Sequence, residues 1–247
     1  MLELQDKYAI VTGASGDIGA ATALAFAREG ASGIIIADID QKRAEIIAAA
    51  ITGETGARCV FVEANIGNSE DIKKLFRTCM DYFGRLDILV NCAGICNTFT
   101  IEEVDENQWD RLMSINLKGT YLCCREAYVI MKKQNSGKIV NVSSVSGRVG
   151  GIATGVDYAA SKGAIITLTK SFAKAAGPYG INVNAVAPGF IDTEMTKNFT
   201  HFNPNDVPLR RPGKPGEVAD VITFLASDKS RYITGVTLDI NGGQYMG

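Results

Sequence analysis

Short β-branched runs alternate with longer stretches of helical period along almost the whole chain, and this alternation limits the possible folds more than any other feature. Tyr8–Thr12, Gly33–Asp38, Arg58–Glu63, Leu86–Asn91, Lys138–Val142, Ile181–Ala187 and Val236–Ile240 read as strands. Between them, Ile18–Glu29, Asp71–Phe83 and Ala159–Ala176 space their apolar residues as one face of a helix does. Strand, helix, strand in series requires right-handed crossovers, which make the strands parallel and lay helices on both faces of the sheet. Segments as apolar as Gly33–Asp38 and Leu86–Val90 belong at the centre of such a sheet. The expectation is one doubly wound α/β domain, residues 1–247, with a seven-stranded parallel sheet.

Charge narrows the partners. Acidic and basic residues number 27 and 25, a formal net charge of -2, which gives no footing for nucleic acid or a membrane surface. No apolar run reaches the length of a bilayer span, and the start, from Met1 to Val11, lacks the basic-then-apolar pattern of a signal peptide. Of the cysteines at 59, 79, 92, 96, 123 and 124, five lie inside apolar or periodic segments, where a reduced thiol packs as a small hydrophobe. A reduced, soluble, cytoplasmic protein is expected. Cys92 and Cys96 stand four apart, but no further ligands complete a zinc site, so no metal is expected.

The first strand runs directly into Thr12-Gly13-Ala14-Ser15-Gly16-Asp17-Ile18-Gly19 and then a helix. Glycine permits a positive φ in the turn and lets a phosphate approach the backbone, while the N–H groups of the helix start hold a diphosphate. Asp38 closes the second strand, where a carboxylate accepts hydrogen bonds from ribose hydroxyls or simply caps the strand end. Its charge would repel a 2′-phosphate, and no lysine or arginine stands at 16, 17 or 39, so NAD is expected over NADP.

Tyr158 and Lys162 share one helix face at i, i+4. An ammonium beside a phenol favours the phenolate and draws its pKa toward the working range of a general acid. The lone His201 leaves no histidine-based triad, and it reads as a surface residue. An irregular stretch with Pro204, Pro208 and Pro212, within about 194–215, is either a substrate lid or a plain surface connection.

Taken in order, Thr12-Gly13…Gly19, Asn91-Cys92-Ala93-Gly94, Asn116, Ser144, Tyr158-Ala-Ala-Ser-Lys162 and Pro188-Gly189 resemble the short-chain dehydrogenases/reductases from Lys7 to Gly243. Asn182–Thr193 and Ile233–Gly243 look most like the 3-oxoacyl-acyl-carrier-protein reductases of that family. The resemblance implies a Rossmann-type fold and a catalytic four. Tyr158 would be the general acid/base, with Lys162 lowering its pKa and holding the nicotinamide ribose. Ser144 would bind the substrate oxygen, with Ser143 and Ser146 as weaker candidates, and Asn116 would anchor a relay water. Gly13, Ser15, Asp17, Ile18 and Gly19 would carry the diphosphate end, and Asn65 and Ile66 the adenine. Asn91, Ala93 and Gly94 would run beneath the cofactor, and Pro188, Ile191 and Thr193 would fix the carboxamide. A homotetramer is implied through helices at about 117–133 and 157–176, although Ala175 replaces a usual glutamate.

This chain departs from the family at several positions. Asp17 replaces the middle glycine, Cys92 replaces the second asparagine of Asn-Asn-Ala-Gly, and Asn65 replaces an aspartate. Ser144 and Tyr158 are one residue further apart than usual. The expected function is NAD(H)-dependent interconversion of a small secondary alcohol and a ketone. The alternatives are a 3-oxoacyl-acyl-carrier-protein reductase and, more distantly, an NAD(H)-sensing module without turnover. The carrier reductases commonly use NADPH and meet their acidic carrier with arginines at positions held here by Asn135 and Tyr179, though Lys132, Lys133 and Lys138 supply charge expected near the site mouth. Phe199 and Phe202 are candidates to fold over a small apolar group, and Cys96 to line the substrate pocket.

Overall fold

A computed structural model describes residues 2–151, 153–197, 199 and 203–247; His201 and Phe202 lie outside them. The strands are β1 Tyr8–Thr12, β2 Gly33–Asp38, β3 Arg58–Glu63, β4 Ile88–Asn91, β5 Gly137–Val142, β6 Ile181–Pro188 and β7 Thr237–Ile240. They pair in the order β3-β2-β1-β4-β5-β6-β7, every neighbour parallel. The α-helices are α1 Asp17–Arg28, α2 Gln41–Thr55, α3 Ser69–Phe83, α4 Glu106–Met113, α5 Thr120–Gln134, α6 Ser146–Val149, α7 Val156–Ala176 and α8 Pro215–Ala226.

Alternation along each strand divides the core into two layers. Ala9, Val11, Ile34, Ile36 and Val90 pack with Phe26 of α1 and Ile222 of α8 on one face. Ile10, Ile35, Leu89 and Ile139 pack with Leu75 of α3, Ala127 of α5 and Ala173 of α7 on the other. The expected fold and strand positions hold. β4 begins two residues later than expected, and the side chain of Asp87, just before it, accepts the Tyr8 N–H.

Helix ends follow from local chemistry. Asp40 and Asn68 accept the N–H groups of Arg43 and Glu70 at the starts of α2 and α3, and Gly56 and Gly84 end them at φ +76° and +71°. Between α4 and α5 the chain widens into a π-helical turn, Ser114–Gly119, which contains Asn116. Such turns interrupt the regular ladder and free backbone groups near functional sites.

Strand order reverses between β1 and β4. Thr12 and Asn91 are paired at the carboxyl ends of those strands, and the crevice opens beyond them.

Candidate active site

The crevice is a cleft of about 600 Å³, bounded by the turn after β1 and by the segments after β2, β3, β4, β5 and β6. At its nucleotide end, Thr12 Oγ1 accepts the N–H groups of Cys92 and Ala93 at 3.2 Å each, binding the ends of β1 and β4 together. Gly13 sits at φ +64°, and a Cβ there would meet Ala93 Cα at 2.6 Å. The turn is closed so tightly that only glycine fits. Ser15, Asp17, Ile18 and Gly19 border the cleft.

Asp38 both caps and lines. Oδ2 accepts the Ser15 N–H at 2.9 Å, Oδ1 accepts those of Ile39 and Asp40 at 2.7 and 3.1 Å, and the residue faces the cleft. The two sequence readings of Asp38 are therefore not exclusive. Asn65 and Ile66 line the adjoining wall, and Asn65 Oδ1 already accepts the Gly67 N–H at 2.9 Å. Arg43, which motif reading did not single out, also borders this end. The signal was available. A helix starting after Asp40 turns its third residue back toward the glycine-rich turn.

At the chemical end, Ser144, Tyr158 and Lys162 converge on the cleft. Lys162 Nζ lies 5.6 Å from the Tyr158 ring centroid and donates to the Val142 carbonyl at 2.8 Å. Burial pulls the Lys162 ammonium down to about 8. Burial also pushes the Tyr158 phenol up, against the opposing effect of its hydrogen bond with Ser144. This direction differs from the sequence expectation. The ammonium is directed at a carbonyl, and desolvation of the phenolate outweighs its influence.

The three neighbouring serines separate by their partners. Ser143 Oγ donates to the Lys162 carbonyl at 2.7 Å, and Ser146 Oγ takes the Thr154 hydroxyl at 3.2 Å. Ser144 Oγ accepts the Ser146 N–H at 3.1 Å, and Ser144 alone of the three acts on the Tyr158 phenol, favouring its ionised form.

Two expected residues stand behind the cleft wall. Asn116 is fully buried, with Oδ1 accepting the Ile95 N–H at 2.8 Å and Nδ2 donating to the Ile95 carbonyl at 2.9 Å and to Ser161 Oγ at 3.2 Å. Its side chain fastens the loop after β4 to α7, so a relay water would have to use its backbone carbonyl, which already takes the Thr120 hydroxyl at 2.7 Å. Asn91 also departs from expectation. Ala93 and Gly94 border the cleft, but the Asn91 amide points into the sheet, donating to Asn141 Oδ1 at 2.8 Å and to Cys124 Sγ at 3.2 Å. A Cβ at Gly94 would lie 3.2 Å from Asn116 Oδ1, so the Asn116 amide would have to give way slightly, and 3.5 Å from Lys162 Nζ, an ordinary contact.

Pro188, Ile191 and Thr193 form the opposite wall. Around Tyr158 the lining is mostly apolar: Val145, Val149, Phe190, Met195 and Phe199, with Cys96 among them. The Phe190 and Phe199 rings stand 6.4 Å apart, and Gln244 Oε1 accepts the Phe190 N–H at 3.0 Å, bringing the carboxyl-terminal tail to the site. Burial pushes the Cys92 thiol up to about 11 and that of Cys96 to about 12, so both stay protonated and behave as small hydrophobes. Among the described residues no cluster of three His, Cys, Asp or Glu side chains converges as a metal site.

One expectation is overturned. Lys132 and Lys133 end α5, and Lys138 lies at the start of β5, so all three sit at the edge of the sheet opposite the strand carboxyl ends. They cannot flank the site mouth of their own chain, because a parallel sheet opens its crevice at the other edge. Lys132 Nζ instead lies 4.3 Å from the Tyr179 ring centroid.

Residues 13–244 match the family model described as Enoyl-(Acyl carrier protein) reductase, a model of the short-chain dehydrogenase/reductase type. The chain is a short-chain dehydrogenase/reductase. It is 39% identical to a 3-oxoacyl-[acyl-carrier-protein] reductase of Synechocystis sp., covering all of both chains. It is 40% identical to the corresponding enzyme of Thermotoga maritima, covering 98% of this chain and 99% of that one. Its structure resembles that of a putative short-chain alcohol dehydrogenase from Sinorhizobium meliloti, with a TM-score of 0.93, 36% identity and 98% of each chain covered. As a member of this family the protein is an oxidoreductase that works with a nicotinamide cofactor. No described helix is long and apolar enough to cross a membrane.

Proposed function

We propose that this short-chain dehydrogenase/reductase uses NAD(H) to interconvert a compact secondary alcohol and its ketone, with Tyr158 as general acid/base. The observation carrying the reading is the meeting of Ser144, Tyr158 and Lys162 in one cleft whose far end is bordered by Asp38. The cleft suits a dinucleotide: Gly13 and Gly19 leave no room for a Cβ, which keeps the backbone bare where a diphosphate would pass. Gly13, Ser15, Ile18 and Gly19 would hold that diphosphate, Asp38 the adenosine ribose, Asn65 and Ile66 the adenine, and Pro188, Ile191 and Thr193 the carboxamide.

When bound, the nicotinamide gives or takes the hydride. The protein's part is the proton. A phenol pushed up by burial holds its proton at neutral pH, so Tyr158 can deliver it to the oxygen of a ketone held by Ser144. Lys162, although pulled down to about 8, is still mostly charged at pH 7 and stabilises the phenolate that remains. Residues about 194–215 would cover the substrate, with Phe199 against its apolar part. Six free cysteines suit a reducing, cytoplasmic setting, and no metal enters the scheme.

The 3-oxoacyl-carrier reductase reading is favoured by the names of the relatives. Against it stand Asp38, whose carboxylate would meet a 2′-phosphate, and the few cations among the described residues lining the cleft, where Arg43 is paired with Asp17 and Lys162 is buried. The deciding experiment is turnover of a panel of small ketones, sugars and acetoacetyl-carrier protein, with NADH and NADPH each at saturation.

A further inference from the structure

Asp17 holds the first position of α1 where the family has glycine, and its carboxylate does not fold back onto its own helix. Oδ2 accepts the Glu194 N–H at 2.7 Å, across 177 residues of sequence. Oδ1 accepts from Nη2 of Arg43 at 2.7 Å, across 26 residues. Glu194 opens the short turn Glu194–Thr196 beyond β6, and Arg43 lies in the first turn of α2. All three residues border the cleft. The Asp17 and Arg43 side chains remain 27% and 44% exposed, so the bridge lies at the rim and not on the floor.

One carboxylate therefore spans the mouth twice. It reaches over the diphosphate end to the segment after β6, and over the adenosine end to α2. A carboxylate beside a diphosphate is otherwise repulsive. The paired guanidinium offsets its charge, and the Glu194 side chain, turned to Lys197, leaves only its backbone N–H to Asp17.

We propose that Asp17 is a positioning residue that straps the mouth of the cofactor cleft, so that the dinucleotide can enter or leave only after the contacts to Glu194 and Arg43 open. The proposal rests on the reading of this cleft as the dinucleotide site. Glycine at 17 would keep the backbone and remove both tethers. Asparagine would keep an acceptor for the Glu194 N–H and lose the charge that holds Arg43. One charge-assisted bond to a backbone N–H and one exposed ion pair together correspond to about a five- to thirtyfold change in dissociation rate.

Two measurements on the whole protein test this. The first is hydrogen exchange at the Glu194 amide without added cofactor, in wild type, Asp17→Gly and Asp17→Asn. Asp17→Gly should exchange several-fold faster, and Asp17→Asn should stay close to wild type. The second is the NADH dissociation rate by stopped-flow fluorescence. It should rise about five- to thirtyfold in Asp17→Gly and by a smaller factor in Asp17→Asn and Arg43→Gln, and raised salt should narrow the gap between wild type and Arg43→Gln. Thermal melts establish that each variant is folded. Unchanged Glu194 exchange in folded Asp17→Gly overturns the strap, whichever dinucleotide the enzyme uses. A faster NADH release without faster Glu194 exchange also overturns it, because the effect would then come from charge alone. Failure of NADH to bind wild type, with exchange at Glu194 behaving as expected, would instead defeat the cofactor assignment.

Discussion

Lys162 donates to the Val142 carbonyl at 2.8 Å from a buried position with no carboxylate partner among the described residues, and burial pulls its pKa from 10.5 to about 8. The unfolded chain therefore binds a proton that the folded chain lacks between about pH 8 and 10.5, so the Lys162 contribution to stability rises with pH through that window. Below pH 8 the full cost of the buried charge is present, of order 3 kcal/mol. Lys162→Met should unfold at higher urea than wild type at pH 7, with the difference shrinking toward pH 10. A constant difference across that range would contradict the buried-charge account.

NAD(H) should bind more tightly than NADP(H), by about tenfold or more, because a 2′-phosphate would meet Asp38 while the nearby Arg43 is paired with Asp17. Fluorescence titration gives both dissociation constants. Equal or tighter NADPH binding would refute the assignment.

Tyr158→Phe should lower kcat by about 10²-fold or more and leave NADH affinity nearly unchanged, since only the proton donor is lost. Retention of wild-type kcat would show that Tyr158 is not the acid.

A compact free ketone should be preferred to a carrier-linked chain. Among the described residues between 194 and 214, Glu194–Thr196 and Pro204–Asp206 form single 3₁₀ turns, and no α-helix rises over the site. Pro204 and Pro208 remove the N–H groups such a helix would need. Val207 is buried, and Leu209 donates its N–H to the Gly242 carbonyl at 3.1 Å, which ties the segment to the carboxyl-terminal tail. Comparing kcat/KM for acetoacetyl-carrier protein with that for small ketones at saturating NADH decides the matter, and faster turnover of the carrier substrate than of every small compound would reverse the reading.

A homotetramer is expected in solution. α5 leaves Tyr121 and Val129 42% and 48% exposed, and Val156 at the start of α7 is 43% exposed, apolar area that a second copy would cover. Light scattering that finds a stable monomer at micromolar concentration would rule this out.

Most of the fold was legible in the sequence because its determinants are local. Period-2 and period-3.6 patterns, Asp40 and Asn68 before their helices, and Gly56 and Gly84 after them act over a few residues each. The order of the motifs likewise located Gly13, Asp38, Ser144, Tyr158 and Lys162, all of which border one cleft. What the residues do to one another was decided only by the tertiary structure. Strand polarity put Lys132, Lys133 and Lys138 at the edge away from the crevice, and packing turned Asn91 into the sheet. Burial, which depends on every neighbour at once, set the direction of the Tyr158 and Lys162 shifts against what their spacing suggested for the phenol. The contact of Asp17 with Glu194 belongs to the same class, since no local rule joins residues 177 apart; β1 and β6 had to take their places in one sheet before those two groups could meet.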